Sequence, residues 1–159
     1  MIRREVGKMN LRNAIKGMLM TLALLIWTDL GGIAAGEPPT GDLAIKGYDA
    51  VAYFTAGKAV KGSDLFTFRW HGMTWHFSTR ENRELFASGP EKYAPQYDGF
   101  CAWAMSEARK AHTDPEVWKI VDGKLYLNCS EAAHEKWSRD IPGNIEKADA
   151  NWLKMKGGN

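Results

Sequence analysis

Alternating apolar and polar positions predict two β-hairpins. Residues 66–77 carry aromatic and β-branched side chains on both sides of Gly72, which places His71 and Gly72 in the turn. Residues 118–127 have the same composition around an Asp-Gly pair, which favours a tight hairpin turn because both turn positions need a positive φ. The pattern therefore indicates two antiparallel strand pairs.

Helical periodicity follows each predicted hairpin. After the first hairpin, Ser78 or Thr79 can cap a helix that continues to Phe86. After the second, Ser130 opens a helix that continues to Trp137. The same reasoning predicts a short helical turn over residues 90–93, a helix with a buried face over residues 100–109, and a last helix over residues 145–153.

The two hairpin-helix segments look like copies of one another at a constant spacing of 51 residues. This spacing pairs Gly72 with Gly123, Trp75 with Tyr126, Ser78 with Cys129, Thr79 with Ser130, Glu84 with Glu135 and Phe86 with Trp137. Neither unit can bury its apolar face alone. We therefore expect an α+β fold in which two ββα units pack on a shared aromatic core, together with connecting and C-terminal helices.

The first 35 residues have the pattern of an export signal. An uncharged apolar run over residues 17–28 follows basic residues and precedes a small-residue segment, so we expect a signal peptide cleaved after Ala35. The alternative is an N-terminal membrane anchor, although Asp29 interrupts a run already shorter than the roughly 20 apolar residues of a span. The chain can start at Met1 or at Met9. A start at Met9 gives a basic segment that is more typical of a signal peptide. The mature protein is expected in the periplasm or otherwise exported across the cytoplasmic membrane.

The remaining chain divides into three parts. We expect a linker over residues 36–42, one domain over residues 43–153 and a frayed tail over residues 154–159. The formal charge of the whole chain is +2, but five Lys and Arg against two Asp and Glu fall in the first 35 residues. The domain is therefore close to neutral and has no basic surface of the kind that binds nucleic acid.

Two cysteines offer the most specific chemistry, and three outcomes are open for them. A disulfide between Cys101 and Cys129 suits an oxidising compartment and contributes on the order of 3 kcal/mol. Both can instead be buried as small apolar residues. The third outcome is a soft-metal site, because Met105 follows Cys101 by one helical turn and thiolate, thioether and imidazole ligands favour copper(I).

Several segments resemble the YHS domain. Residues 68–78 (FRWHGMTWHFS) and 86–93 (FASGPEKY) carry the general resemblance. Exported bacterial YHS domain-containing proteins are matched more closely, through residues 47–54, 90–97, 99–104, 121–128 and 148–152. The resemblance covers about residues 43–152 and implies a link to heavy metals, by analogy with YHS modules in copper-transporting ATPases.

The resemblance does not carry over a ready metal site. Metal-linked YHS modules tend to have two cysteines after the first hairpin, and here those positions hold Ser78 and Asn82, which are poor soft-metal ligands. The internal repeat suggests that Cys129 occupies the corresponding place in the second unit. The candidate ligands for copper or zinc are therefore Cys101, Met105, Cys129 and His71.

The sequence predicts a binding protein rather than an enzyme. It contains no glycine-rich phosphate loop, no His-Glu-x-x-His motif and no serine-centred nucleophile elbow. We expect an exported protein that binds or handles copper or zinc. The alternative is a structural or protein-interaction module with a Cys101–Cys129 disulfide, whose partner is an unknown protein. A membrane partner is expected only if the leader stays attached.

Overall fold

The computed structural model describes residues 42–157, all of which belong to one compact unit. The strands in this part of the chain are β1 Ser63–Trp70, β2 Met73–Phe77, β3 Asp114–Val121 and β4 Lys124–Asn128. The helices are α1 Ala52–Thr55, α2 Arg80–Ser88, α3 Pro90–Tyr93, α4 Ala102–Ser106, α5 Glu131–Ser138 and α6 Ile141–Gly157. The predicted α+β class and both ββα units are confirmed.

The two hairpins have the same turn and the same register. In each, the turn pair has positive φ, 50° and 75° at His71 and Gly72, and 50° and 73° at Asp122 and Gly123. Two positive φ values are typical of the type I′ turn, whose twist matches the right-handed twist of the two paired strands. The two pairings also shift register at equivalent places, between Ser63 and Thr67 in the first and between Asp114 and Trp118 in the second. The spacing of 51 residues thus holds throughout both hairpins.

Each hairpin leads into a helix with a hydroxyl cap. The Asn82 backbone N–H donates to Thr79 Oγ1 at 3.1 Å, and the Ala133 backbone N–H donates to Ser130 Oγ at 3.2 Å. Such a cap satisfies one of the backbone donors left free in the first turn. Of the caps considered from the sequence, Thr79 and Ser130 are those used, again at the predicted spacing.

Aromatic side chains fill the interior around both units. The first cluster packs Trp75 and Phe77 on Phe86, with ring centroids 4.8 and 5.1 Å apart. The second packs Tyr126 on Trp137 at 5.4 Å. A third cluster around Tyr53, Leu125 and Leu127 shares Ile45 and Phe54 with the edge of the first. The apolar faces of the two hairpins are therefore joined through residues of the N-terminal segment.

Several boundaries differ from those expected. The helix expected over residues 100–109 is limited to α4, because Cys101 has a non-helical ψ of 121° and Ala108 has a φ of 55°. Strand β3 begins at Asp114, before the expected start of the hairpin at residue 118, and includes Pro115, which the register shift beside it accommodates. The last helix begins before residue 145, with Pro142 in its first turn, where the missing N–H costs nothing.

The C-terminal tail also differs. Residues 154–157 were expected to fray, but they continue helix α6 to Gly157. Lys156 lies 4.7 Å from the centre of the Trp152 ring and 3.7 Å from a carboxylate oxygen of Asp98. These contacts, and the favourable position of a cation at a helix C-terminus, explain the added turn.

The expected signal peptide or anchor over residues 1–35, and nearly all of the expected linker over residues 36–42, lie outside the described residues. Between residues 42 and 157, no helix has both the length and the apolar character that crossing a membrane requires.

Candidate functional site

Cys101 lies immediately before helix α4 and is fully buried. Its backbone N–H donates to the carbonyl of Ala111 at 3.0 Å, and its carbonyl accepts from the N–H of Met105 at 2.9 Å. The thiol is surrounded by Ala104 and Ala133. The backbone on both sides therefore fixes where this sulfur lies.

Cys129 brings a second thiol to the same point. It lies between the end of β4 and Ser130, the cap of α5, and it is exposed. Its backbone N–H donates to Cys101 Sγ at 3.1 Å. Both thiols are free. The structure thus places the backbone of an exposed cysteine in contact with a buried thiol.

The environment holds the buried thiol in its protonated form. Burial raises the pKa of Cys101 to about 11, and the neighbouring Cys129 thiol adds to the increase. The Cys129 backbone N–H acts in the opposite direction, because it donates to the sulfur and favours a thiolate. A ligand that replaces the Cys101 proton therefore finds one donor already directed at the sulfur.

Asn128 organises the space behind the thiol pair. Its side chain is fully buried, and Oδ1 accepts the Trp103 backbone N–H at 3.1 Å while lying 3.8 Å from Cys101 Sγ. Its Nδ2 lies 3.3 Å from Nδ1 of His134. The sequence analysis did not assign this role to Asn128. Its position at the buried end of a strand, next to a cysteine, is the signal that could have identified it.

The other two predicted ligands lie elsewhere. Met105 packs in the second aromatic cluster with Tyr126 and Trp137, whereas Cys101 belongs to a separate cluster. The sequence argument assumed a helix through both residues, but Cys101 precedes the helix. His71 stacks on Trp70 in the first hairpin turn, with ring centroids 3.7 Å apart. Within residues 42–157, no three His, Cys, Asp or Glu side chains gather as a metal site.

The first half of the fold has a hydrogen-bonded counterpart of the thiol pair. Asp49 follows a turn over residues 44–47 as Cys101 follows a turn over residues 96–99, and both turns have two successive non-glycine residues with positive φ. The Ser78 backbone N–H donates to Asp49 Oδ2 at 2.8 Å, as that of Cys129 does to Cys101 Sγ. The Ser78 hydroxyl and the Asn82 amide add bonds of 2.6 and 2.7 Å.

This comparison separates the two sites by chemistry. In the first half, a carboxylate satisfied by hydrogen-bond donors joins the turn to helix α2. In the second half, the same two backbone positions present sulfur atoms. Ser78 and Asn82 are the side-chain donors to the Asp49 carboxylate.

Comparisons with protein-family profiles, with curated proteins and with solved structures find no match for this chain. The thiol pair is therefore interpreted from its own geometry.

Proposed function

We propose that this is an exported, YHS-like protein that binds copper(I) between the thiolates of Cys101 and Cys129. The observation that carries the proposal is the contact between the two cysteines, in which the Cys129 backbone N–H donates to Cys101 Sγ at 3.1 Å. Thiolates are soft ligands and select soft ions such as copper(I). The protein binds or hands on the ion and needs no catalytic group to do so.

The number of ligands favours copper(I) over zinc. Structural zinc takes four ligands, usually cysteine and histidine. The described residues bring two sulfurs together and no third His, Cys, Asp or Glu. Copper(I) is a soft, closed-shell ion that is stable with two thiolates, so the pair is sufficient for it.

Burial of one ligand sets the pH dependence of binding. The ion must displace the Cys101 proton, and the pKa of that thiol is raised to about 11. Metal affinity at such a site rises with pH, since proton release accompanies binding. The N–H group of Cys129 then stabilises the thiolate in the metal-bound form.

A competition titration tests the proposal. The reduced full chain is titrated with copper(I) under anaerobic conditions against a chromogenic chelator. We expect one ion per chain, and loss of that ion in Cys101→Ser and in Cys129→Ser. Met105→Leu and His71→Ala, which change side chains placed outside the thiol pair, serve as matched controls and retain it. Unchanged affinity in either cysteine variant contradicts the proposal.

The same thiol contact supports a second candidate, a non-catalytic interaction module in which Cys101 and Cys129 form a permanent disulfide. Thiol labelling of the protein isolated without reductant separates the two. Two reactive thiols after mild reduction support the copper site. A bond that resists dithiothreitol until the chain is unfolded supports the permanent disulfide.

A further inference from the structure

The two thiols differ in accessibility, which gives them different chemical roles. Cys129 is exposed and can be reached by a reagent in solution, whereas Cys101 has no exposed surface. An exposed sulfur can react with an external partner, and a buried neighbour can then react only with that first sulfur. This is the arrangement of an attacking and a resolving thiol.

The backbone favours a bond between the two sulfurs. In the equivalent place of the first half, the Ser78 hydroxyl donates to Asp49 Oδ2 at 2.6 Å, so this pair of positions brings side-chain ends into direct contact. The Cys129 N–H bond to Cys101 Sγ reproduces the backbone part of that contact. A disulfide needs its sulfurs about 2.05 Å apart, so the two free thiols must close to that distance when the bond forms.

We propose that the Cys101–Cys129 pair carries out reversible thiol–disulfide exchange with organic disulfides. The exchange uses the thiols of the proposed copper site, but it does not require that copper binds. In the first step the Cys129 thiolate attacks one sulfur of a disulfide RSSR, forms a mixed disulfide with it and releases RS⁻. In the second step Cys101 attacks the Cys129 sulfur, closes the internal disulfide and releases the second R group as a thiol.

The second step also accounts for the proton. The Cys101 proton leaves with the second R group, and the RS⁻ released in the first step takes up the proton that Cys129 lost when it became a thiolate. The protein dithiol and RSSR thus become the protein disulfide and two thiols. Before the reaction the Cys101 thiol donates to Asn128 Oδ1 at 3.8 Å. Reduction by an external dithiol reverses both steps.

Mass spectrometry of the metal-free full chain tests the proposal. The reduced protein is mixed with glutathione disulfide in the presence of a copper and zinc chelator, quenched with a thiol-trapping reagent and weighed. We expect the natural chain to lose two hydrogen atoms and carry no trapping group. Cys101→Ser is expected to stop at the mixed disulfide and carry one glutathionyl group at Cys129. Cys129→Ser is expected to stay unmodified until denaturant exposes Cys101.

Two results overturn the inference. One is a natural chain that accumulates the glutathionyl adduct without closing the internal bond. The other is a Cys129→Ser chain that reacts as fast as the natural chain while retaining its native circular dichroism. Cys101→Ala is a second resolving-thiol variant in case the serine hydroxyl disturbs folding. Because the exchange assay contains no metal, a failure to exchange does not contradict the copper proposal. A failure to bind copper in the titration likewise does not contradict the exchange proposal.

Discussion

Replacing Asp49 by alanine tests how the turn before helix α1 is held. Its carboxylate accepts hydrogen bonds from the backbone N–H groups of Val51, Ala52 and Ser78 at 2.9, 3.2 and 2.8 Å. It also accepts from the Ser78 hydroxyl and the Asn82 amide at 2.6 and 2.7 Å. Asp49→Ala removes all of these acceptors from a fully buried position.

The expected loss follows from the donors left behind. The Ser78 hydroxyl and Asn82 amide lie 3.4 Å apart and can pair with one another. The Ala52 N–H keeps the backbone carbonyl of residue 49 as an acceptor at 3.2 Å, but the backbone N–H groups of Val51 and Ser78 lose theirs and cannot move away. Each buried donor without a partner costs about 1 to 3 kcal/mol, so we expect Asp49→Ala to lower the free energy of unfolding by about 4 kcal/mol, the middle of the range for two donors.

Urea denaturation followed by tryptophan fluorescence measures this loss. With a slope of about 2 kcal/mol per molar, the midpoint should fall by about 2 M. Asp64→Ala is the matched control, because Asp64 is exposed and its change should stay within about 0.5 kcal/mol. If the two variants have equal midpoints, the hydrogen bonds to Asp49 do not hold the turn.

Two further predictions concern pH and the internal repeat. Burial raises the pKa of Cys101 from 9.0 to about 11 and the pKa of Tyr126 from 10.0 to about 12. Both protonated groups therefore stabilise the fold below pH 9, and this stabilisation is lost as pH rises through the raised pKa values. The urea midpoint should therefore fall above pH 9, and less steeply in Cys101→Ala; parallel curves contradict this. Phe86→Ala and Trp137→Ala, at equivalent buried positions, should each cost about 3 to 5 kcal/mol in urea melts. Leu85→Ala, 40% exposed, should cost clearly less, and equal losses contradict the packing account.

The repeat was predictable because local residue chemistry determines it. A turn with two positive φ values selects glycine at its second position, and Gly72 and Gly123 supply the register for both hairpins. The helix caps at Thr79 and Ser130 follow at fixed distances from those glycines. Each of these signals is contained within a few neighbouring residues, so no tertiary information was needed.

The site was only partly predictable, because tertiary contacts assemble it. Asp49 and Cys101 are equivalent in the fold, but they are 52 residues apart rather than 51 and share no side-chain chemistry. Met105 was grouped with Cys101 by extending helical periodicity through a residue whose ψ is 121°. The role of Asn128 depends on contacts with Trp103 and His134, which periodicity does not report.

X-ray absorption at the copper edge tests the proposed copper site most directly. The anaerobic full chain, loaded with one equivalent of copper(I), is compared with Cys129→Ser and with the control His71→Ala. We predict a first shell of two sulfur atoms with no imidazole scattering, the same in His71→Ala and lost in Cys129→Ser. A shell containing nitrogen, or an unchanged sulfur shell in Cys129→Ser, contradicts binding of copper(I) between Cys101 and Cys129.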